Sequence, residues 1–394
     1  MKSARRAKIW LIISIIAIVL VSGTLGFFVG RGKLTLVTIL RNKKPSPSVN
    51  INLFWEAYNK LKENYASDVD GQKYLYGSIE GGFASLGDPY TMFFTPDQTK
   101  DFTNELSGEL EGIGVKIGVL DDYPAVIAPL DGSPAQKAGL KPRDKIIKVD
   151  GVDMKGVSLD EAVTKIRGQE GTKVKLEILR DGEKDTKTFE IERAKLQVKT
   201  VEVKYLDDVA VIELNEFGED TVTEFSKAAK EISDKKINKV IIDLRSNPGG
   251  LLDGAVGVGN EIFPKDTTVV IEKGKTTKNE MKTNQDGVLK DAKLVVLVND
   301  GSASAAEILA GAVQDNKRGT IIGGKTFGKG TVQQFEPLSD GSAVKITVAQ
   351  WLTPSGKSIE KNGITPDIEI KDSDNPYFDN NDPLIERAIQ ELNK

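Results

Sequence analysis

Two short stretches, KVIIDLR (239–245) and KLVVLVN (293–299), are almost unbroken runs of apolar residues. A strand with one wet face alternates apolar and polar residues. A continuous run is a strand buried on both faces, which in soluble domains means a largely parallel sheet covered by helices. The surrounding pattern agrees. A strand, VAVIEL (209–214), and a helix over 219–234 precede the first run, and a glycine-containing helix, LLDGAVGVGNEIF (251–263), follows it. TVVIEK (268–273) reads as a further strand, and SASAAEILAGAVQDN (302–316) as a helix with small residues on one face. TVQQFEPL and SAVKITVAQWLTP read as a strand pair joined at Asp340-Gly341, and ITPDIEI (364–370) closes the unit. Strands alternating with helices predict a multidomain α/β chain whose core, 194–370, is a twisted, largely parallel sheet. PLIERAIQELNK, within 371–394, is a terminal amphipathic helix.

Residues 108–193 follow another pattern. EGIGVKIGVL and PAVIAPL are strands, SPAQKAGL is a short helix opened by Ser133-Pro134 and closed by Gly139, and DKIIKVDGVDM is a strand and turn. LDEAVTKIRG (159–168) is an amphipathic helix, and 173–193 a hairpin around Asp181-Gly182. This order closely resembles a PDZ domain. In such domains the loop at Gly112-Ile113-Gly114-Val115 offers backbone N–H groups to a peptide's terminal carboxylate, and the peptide adds as a strand to the sheet edge.

Residues 51–107 are helical in pattern, with Phe54, Tyr58, Leu61 and Tyr65 at three- and four-residue spacing. GDPYTMFFTPDQTKDF (87–102) adds a turn, an apolar stretch and a helix starting near Pro96. Residues 31–50 end in a charged Pro/Ser linker, RNKKPSPSVN. Within 1–30, Ile9–Val29 is a 21-residue run without a charge, about 31 Å as a helix and matched to a bilayer core. A cleaved signal peptide has a shorter apolar region and a small-residue site that VSGTLG fits poorly. The expectation is an uncleaved single-pass anchor, with the short charged end inside and the globular part outside the cytoplasm. Basic residues flank both ends, so their count alone does not orient it.

The chain has no histidine and no cysteine. That removes Ser-His-Asp and Cys-His catalysis, histidine- or cysteine-held zinc, and disulfides. No metal or cofactor is expected. A net charge of −4 and the lack of a basic, aromatic-laced patch argue against nucleic acid. A serine activated without imidazole needs another base, and a lysine of depressed pKa is the known substitute. Ser304 follows a buried strand and opens a helix, where unpaired N–H groups would stabilise an oxyanion. A serine there is also an ordinary N-cap, but Gly301-Ser302 is the better cap-like pair, which leaves Ser304 for chemistry. Lys329 sits between glycines in FGKG, where close backbone approach is allowed. To act as a base it must be desolvated, with Phe327 as part of the apolar wall. Gln333, four residues on, is placed to hydrogen-bond the amine. In DLRSNPGGLL (243–252) a glycine of the pair Gly249-Gly250 can present a bare N–H to a ligand oxygen. Gly319-xxxx-Gly324-Lys325-Thr326 fits the phosphate-loop pattern, but Ile321-Ile322 lie inside the loop and FGKGT follows where a helix is required; no nucleotide is expected.

Together, GDPYTMFFTP, the PDZ-like module, DLRSNPGG, GSASAAEILAGAVQD, KTFGKGTVQ and TPSGKSIEKNGITPDI closely resemble the carboxyl-terminal processing peptidases, tail-specific serine proteases of the S41 type. The resemblance runs from about 51 to 370. It implies a catalytic Ser304, a general base Lys329 and a supporting Gln333. It implies oxyanion donors at Ala305 and at Gly249 or Gly250, with Gly249 favoured, and supporting roles for Glu307, Asp315 and Thr326. Ala306 stands where the family often has a serine. The expected activity is hydrolysis of peptide bonds in substrates captured by their C-terminus, with Arg167 of the PDZ-like helix as a candidate gating charge. The resemblance allows a homodimer through 51–107. The competing expectation is a PDZ scaffold with an inactive or gated protease core.

Overall fold

The structure, a computed structural model, describes residues 50–370 and 382–394, except Asp131, Ser158, Asp181 and Val198. The anchor expected at Ile9–Val29 and most of the linker lie outside the described residues. Among those described, no helix is long and apolar enough to cross a membrane. The chain divides into two compact units, meeting in sequence at Leu75 and Tyr76.

In the first unit, helix α1 (Asn52–Asn64) leads to the start of α2 (Gly71–Ala84). Phe54 and Tyr58 pack on Tyr74, with ring centroids 5.9 and 5.1 Å apart. Leu53 and Trp55 remain exposed.

The second unit takes in the rest of α2 and then a strand where the sequence suggested only an apolar stretch. β1 (Met92–Phe94) precedes α3 (Pro96–Leu106). The PDZ-like module then runs through β2 (Glu109–Gly112), β3 (Val115–Leu120), β4 (Tyr123–Pro129), α4 (Pro134–Ala138), β5 (Lys145–Val149), β6 (Val152–Asp153), α5 (Leu159–Ile166), β7 (Lys173–Leu179), β8 (Lys187–Glu192) and β9 (Ala194–Gln197). Its sheet has the order β3-β4-β5-β7-β8, and β2 pairs with β9. α4 forms as expected: Ser133 Oγ accepts from Gln136 N–H, Pro134 opens the helix, and Gly139 closes it at φ 84°. Alternate residues of β7, Val174, Leu176 and Ile178, are fully buried in one core with Ala162 and Ile166 of α5. β3 pairs only with β4 among the described strands, so its other edge is open beside α5.

The core contains β10 (Val201–Leu206), β11 (Val209–Leu214), α6 (Thr221–Asp234), β12 (Lys239–Asp243), α7 (Leu252–Ile262), β13 (Thr268–Gly274), β14 (Lys278–Lys282), β15 (Lys293–Val298), α8 (Ala305–Asp315), β16 (Thr320–Gly323), β17 (Thr331–Pro337), β18 (Ala343–Leu352), β19 (Ile368–Glu369) and α9 (Pro383–Leu392). The main sheet has the order β10-β11-β12-β15-β16-β19, parallel except at β10. Its apolar runs split by parity. Ile212, Ile242 and Val296 face a core shared with α6, α7 and α8, while Val211, Ile241 and Val295 face α9 through Leu384 and Ala388. Two covered faces are the physical reason the runs do not alternate. Asp382 caps α9 and pairs with Arg245 at the end of β12, 2.7 Å away.

TVVIEK forms a strand as expected, but β13 stands outside the parallel sheet, in a separate antiparallel sheet, β1-β18-β13-β14, with β17 on β18. Length and apolarity cannot tell a strand which sheet to enter. The phosphate-loop reading also lacks its helix: β16 runs through buried Ile321-Ile322, and an extended loop follows Thr326.

Replacing fully buried Ile242 by Ala should destabilise the core by about 2–5 kcal/mol, read by urea unfolding. The half-exposed Val119→Ala should stay within about 0.5 kcal/mol.

Candidate active site

The site forms where β12 and β15 end, in the crevice outside the carboxyl ends of parallel strands. Two loops leave those strands and lock together. Asn299 Oδ1 accepts from Ser246 N–H at 2.8 Å, Ser302 Oγ donates to Leu244 O at 2.7 Å, and Ala303 N–H donates to Asn247 O at 2.9 Å. Ser302 is therefore not the helix cap the sequence suggested. It is fully buried and occupied in joining the loops.

Ser304 itself holds the N-cap position of α8, at φ 53° and ψ −114°. A non-glycine residue at positive φ costs energy and persists only where its surroundings fix it. What fixes it is Glu307. Its Oε2 accepts from Ser304 N–H at 2.9 Å and from Lys329 N–H at 2.9 Å. Its Oε1 accepts from Thr326 Oγ1 at 2.6 Å and from Gly328 N–H at 2.7 Å. Burial pushes the Glu307 carboxyl upward, and these four donors pull against that. One buried carboxylate thus ties the serine turn to the lysine loop. Thr326 also accepts from Ile364 N–H at 2.6 Å. Asp315, at the far end of α8, holds Ser355 N–H at 2.9 Å and does not line the cavity.

Ser304, Lys329 and Gln333 line one cavity of about 340 Å³, together with Gly249 and Gly250. Its apolar wall includes Phe217, Leu252, Phe335 and buried Trp351. Phe327 does not supply that wall, being 58% exposed. Lys329 instead rests with Nζ 4.9 Å from the centroid of the Tyr90 ring. Burial lowers the Lys329 pKa, and the positive charge of Lys345 lowers it further, against Glu307, Asp88 and Glu360. Tyr90 and Lys345 were not singled out from the sequence. The spacing of Asp88 and Thr91 in GDPYT, which closes a turn on itself, is the signal that could have found the first.

Gln333 does not reach the lysine amine. A β-bulge between Val332 and Gln333 interrupts the β17–β18 register, and the Gln333 amide donates to Thr331 Oγ1 at 2.8 Å and to Thr347 Oγ1 at 3.3 Å. The expected oxyanion donors also divide. Gly249 lies at φ 95°, and a Cβ there would stand 2.7 Å from Ser304 Cβ and 2.9 Å from Ala305 N. Only glycine fits so close to the serine turn. Its N–H, however, donates to Asn247 Oδ1 at 2.8 Å, and fully buried Asn247 is held through Leu214 O at 2.6 Å. Gly250 packs on Phe217, and Ala305 opens α8 where helix N–H groups lack intrahelical partners.

In the PDZ-like module, Ile113 is buried, and its carbonyl accepts from Ala135 N–H while that of Gly114 accepts from Leu130 N–H. Gly112 ends β2, Val115 opens the free-edged β3, and exposed Arg167 follows α5 beside Gly112. These residues are apart from the cavity lining.

The fold and this cavity define a multidomain α/β chain in which a small β-rich module precedes a cleft lined by a serine and a lysine. Residues 208–370 match the sequence model of peptidase family S41, and 102–179 match the PDZ domain. The "Probable CtpA-like serine protease" of Staphylococcus haemolyticus is 41% identical over 317 residues, 80% of this chain and 63% of the relative. That of Staphylococcus aureus is 41% identical over 324 residues, 82% of this chain and 65% of the relative. The chain therefore spans less than two thirds of the length of these curated relatives. A solved photosystem II D1 C-terminal processing protease is 28% identical with a TM-score of 0.57, covering 87% of this chain and 92% of that one. The chain thus carries a PDZ domain followed by a peptidase domain of family S41, and is similar along most of its length to carboxyl-terminal processing proteases.

Glu307→Gln would turn an amide toward N–H groups that now meet a carboxylate oxygen, costing about 1–3 kcal/mol for each donor left unsatisfied. Denaturant unfolding should register that loss, whereas Asp315→Asn, outside the cavity lining, should leave the hydrogen bonds of Glu307 unchanged.

Proposed function

We propose that the chain is a membrane-anchored serine endopeptidase with a Ser304–Lys329 mechanism. It would bind a substrate's C-terminus at Gly112–Val115 and hydrolyse peptide bonds in the core. The observation that carries this is the shared cavity: Ser304 at a strained helix start and a desolvated Lys329, bridged beneath by Glu307. Neutral Lys329 takes the Ser304 proton as Oγ attacks the peptide carbonyl. Ala305 N–H and one N–H of Gly249-Gly250 hold the oxyanion. Lysine then protonates the leaving amine, and water hydrolyses the acyl-enzyme. The residues around the dyad supply the chemistry without a cofactor. The anchored, extracytoplasmic placement rests on the uncharged run Ile9–Val29, and pairing into a homodimer on the resemblance alone.

A gated core is the second reading, and two contacts favour it. Gly249 N–H is held by Asn247, and Gln333 by two threonines. Both would have to be exchanged for Gly249 to donate to an oxyanion and Gln333 to support the lysine. Peptide captured on the PDZ module, with Arg167 as reporter, would drive that exchange.

The full chain in detergent should cleave an unfolded protein ending in apolar residues. Ser304→Ala and Lys329→Ala should each lose about a thousandfold or more. Activity should rise with pH as Lys329 deprotonates, with a midpoint below the ordinary lysine value of about 10.4. Cleavage that survives both substitutions would remove the dyad.

A further inference from the structure

The segment GDPYTMFF lies outside both matched domains, at 87–94, and the mechanism above does not use it. It nonetheless reaches the lysine. Asp88 Oδ1 accepts from Tyr90 N–H at 2.9 Å, and Asp88 Oδ2 from Thr91 Oγ1 at 2.6 Å, closing a tight turn with Tyr90 at its tip. Thr91 is buried, and its Oγ1 accepts from Thr347 N–H at 2.9 Å, pinning the turn to β18. β1 then pairs with β18 from Met92↔Lys345 to Phe94↔Ala343. The same strand β18 carries Trp351, whose Nε1 donates to Lys329 O at 2.9 Å. The turn and the lysine loop are thus fixed to one strand, and the Tyr90 ring meets Lys329 Nζ at 4.9 Å.

We propose that Tyr90 is a positioning residue for Lys329, whose ring, held by the Asp88–Thr91 turn, seats the amine in the cavity and sets the pH range over which Ser304 is activated. An aromatic face attracts an ammonium, and more so when water is excluded. A neutral ring is required, and burial together with Glu360, Glu307 and Asp88 holds the Tyr90 hydroxyl above its ordinary pKa. The ring acts among other charges. Lys345 from β18 opposes the ammonium, while Glu307 from α8, Asp88 from the same turn and Glu360 from the loop after β18 favour it; Glu216 also lines the cavity. The ring and Lys345 therefore pull in opposite directions.

The inference rests on Lys329 as the base, so the test reads the lysine without needing catalysis. Acetic anhydride labelling of Lys329 in the full chain, mapped by peptide mass across about pH 6–10, gives its ionisation midpoint. Tyr90→Leu keeps an apolar wall and removes the quadrupole. It should move the midpoint down by at least about half a pH unit, and Tyr90→Met serves as the second apolar replacement if Leu does not fold. Tyr90→Phe should retain the wild-type midpoint, and Lys345→Gln should move it up. The pH limb of kcat should follow each shift while KM changes little. Equal midpoints for Tyr90→Leu and wild type, with Lys345→Gln displaced, would overturn the proposal, as would equal shifts for Leu and Phe. If Lys329→Ala still cleaves, the dyad fails, while the labelling still decides whether the ring seats the amine.

Discussion

The arrangement depends on a single buried carboxylate. Taking Glu307 out of water costs several kcal/mol, and four donors to the charged acceptor offset part of it, burial still holding the carboxyl above its ordinary pKa. All four donors point at carboxylate oxygens, so the ionised form is the one they stabilise. Because two of them come from the serine turn and the lysine residue itself, satisfying Glu307 also sets the separation of those two groups. The strain at Ser304 is tolerated for the same reason: its N–H has a fixed partner only in that conformation.

Around this clamp the fold supplies rigid mounts. The parallel sheet, buried on both faces, brings the ends of β12 and β15 side by side, and Asn299, Ser302 and Asn247 lock their loops with fully or nearly fully buried side chains. The antiparallel sheet serves the other half of the site. Its strand β18 carries the Tyr90 turn, Lys345, Thr347 and Trp351, so everything that tunes or holds Lys329 from that side moves as one piece. The contacts that the proposed gating would exchange are Gly249 with Asn247 and Gln333 with its threonines. Single hydrogen bonds of about 1 kcal/mol net are easily traded when a ligand offers better partners.

Much of this was legible in the chain. Unbroken apolar runs demand a sheet covered on both faces, and the observed parity of Ile241 and Ile242 toward opposite layers is that demand satisfied. The lack of histidine and cysteine, read with a serine at a strand-to-helix turn and a lysine between glycines, led to two residues that do line one cavity. What misled were choices among chemically equivalent groups. Ser302 reads as the better cap on paper, yet it is buried between two strand ends and Ser304 holds the cap position. Phe327 is two residues from the lysine in sequence but exposed, whereas Tyr90, some two hundred and forty residues away, provides the ring.

By itself, then, the sequence determined the backbone classes and the reactive residue types, because periodicity, glycine and proline act locally on dihedrals and on which faces can be buried. Only the tertiary structure decided which sheet β13 joined, which serine was strained, which ring met the ammonium and which acceptor took the Gly249 N–H. Those are contests between distant groups for the same few partners, and they are settled by which pairs the packed core can bring within hydrogen-bond or van der Waals reach.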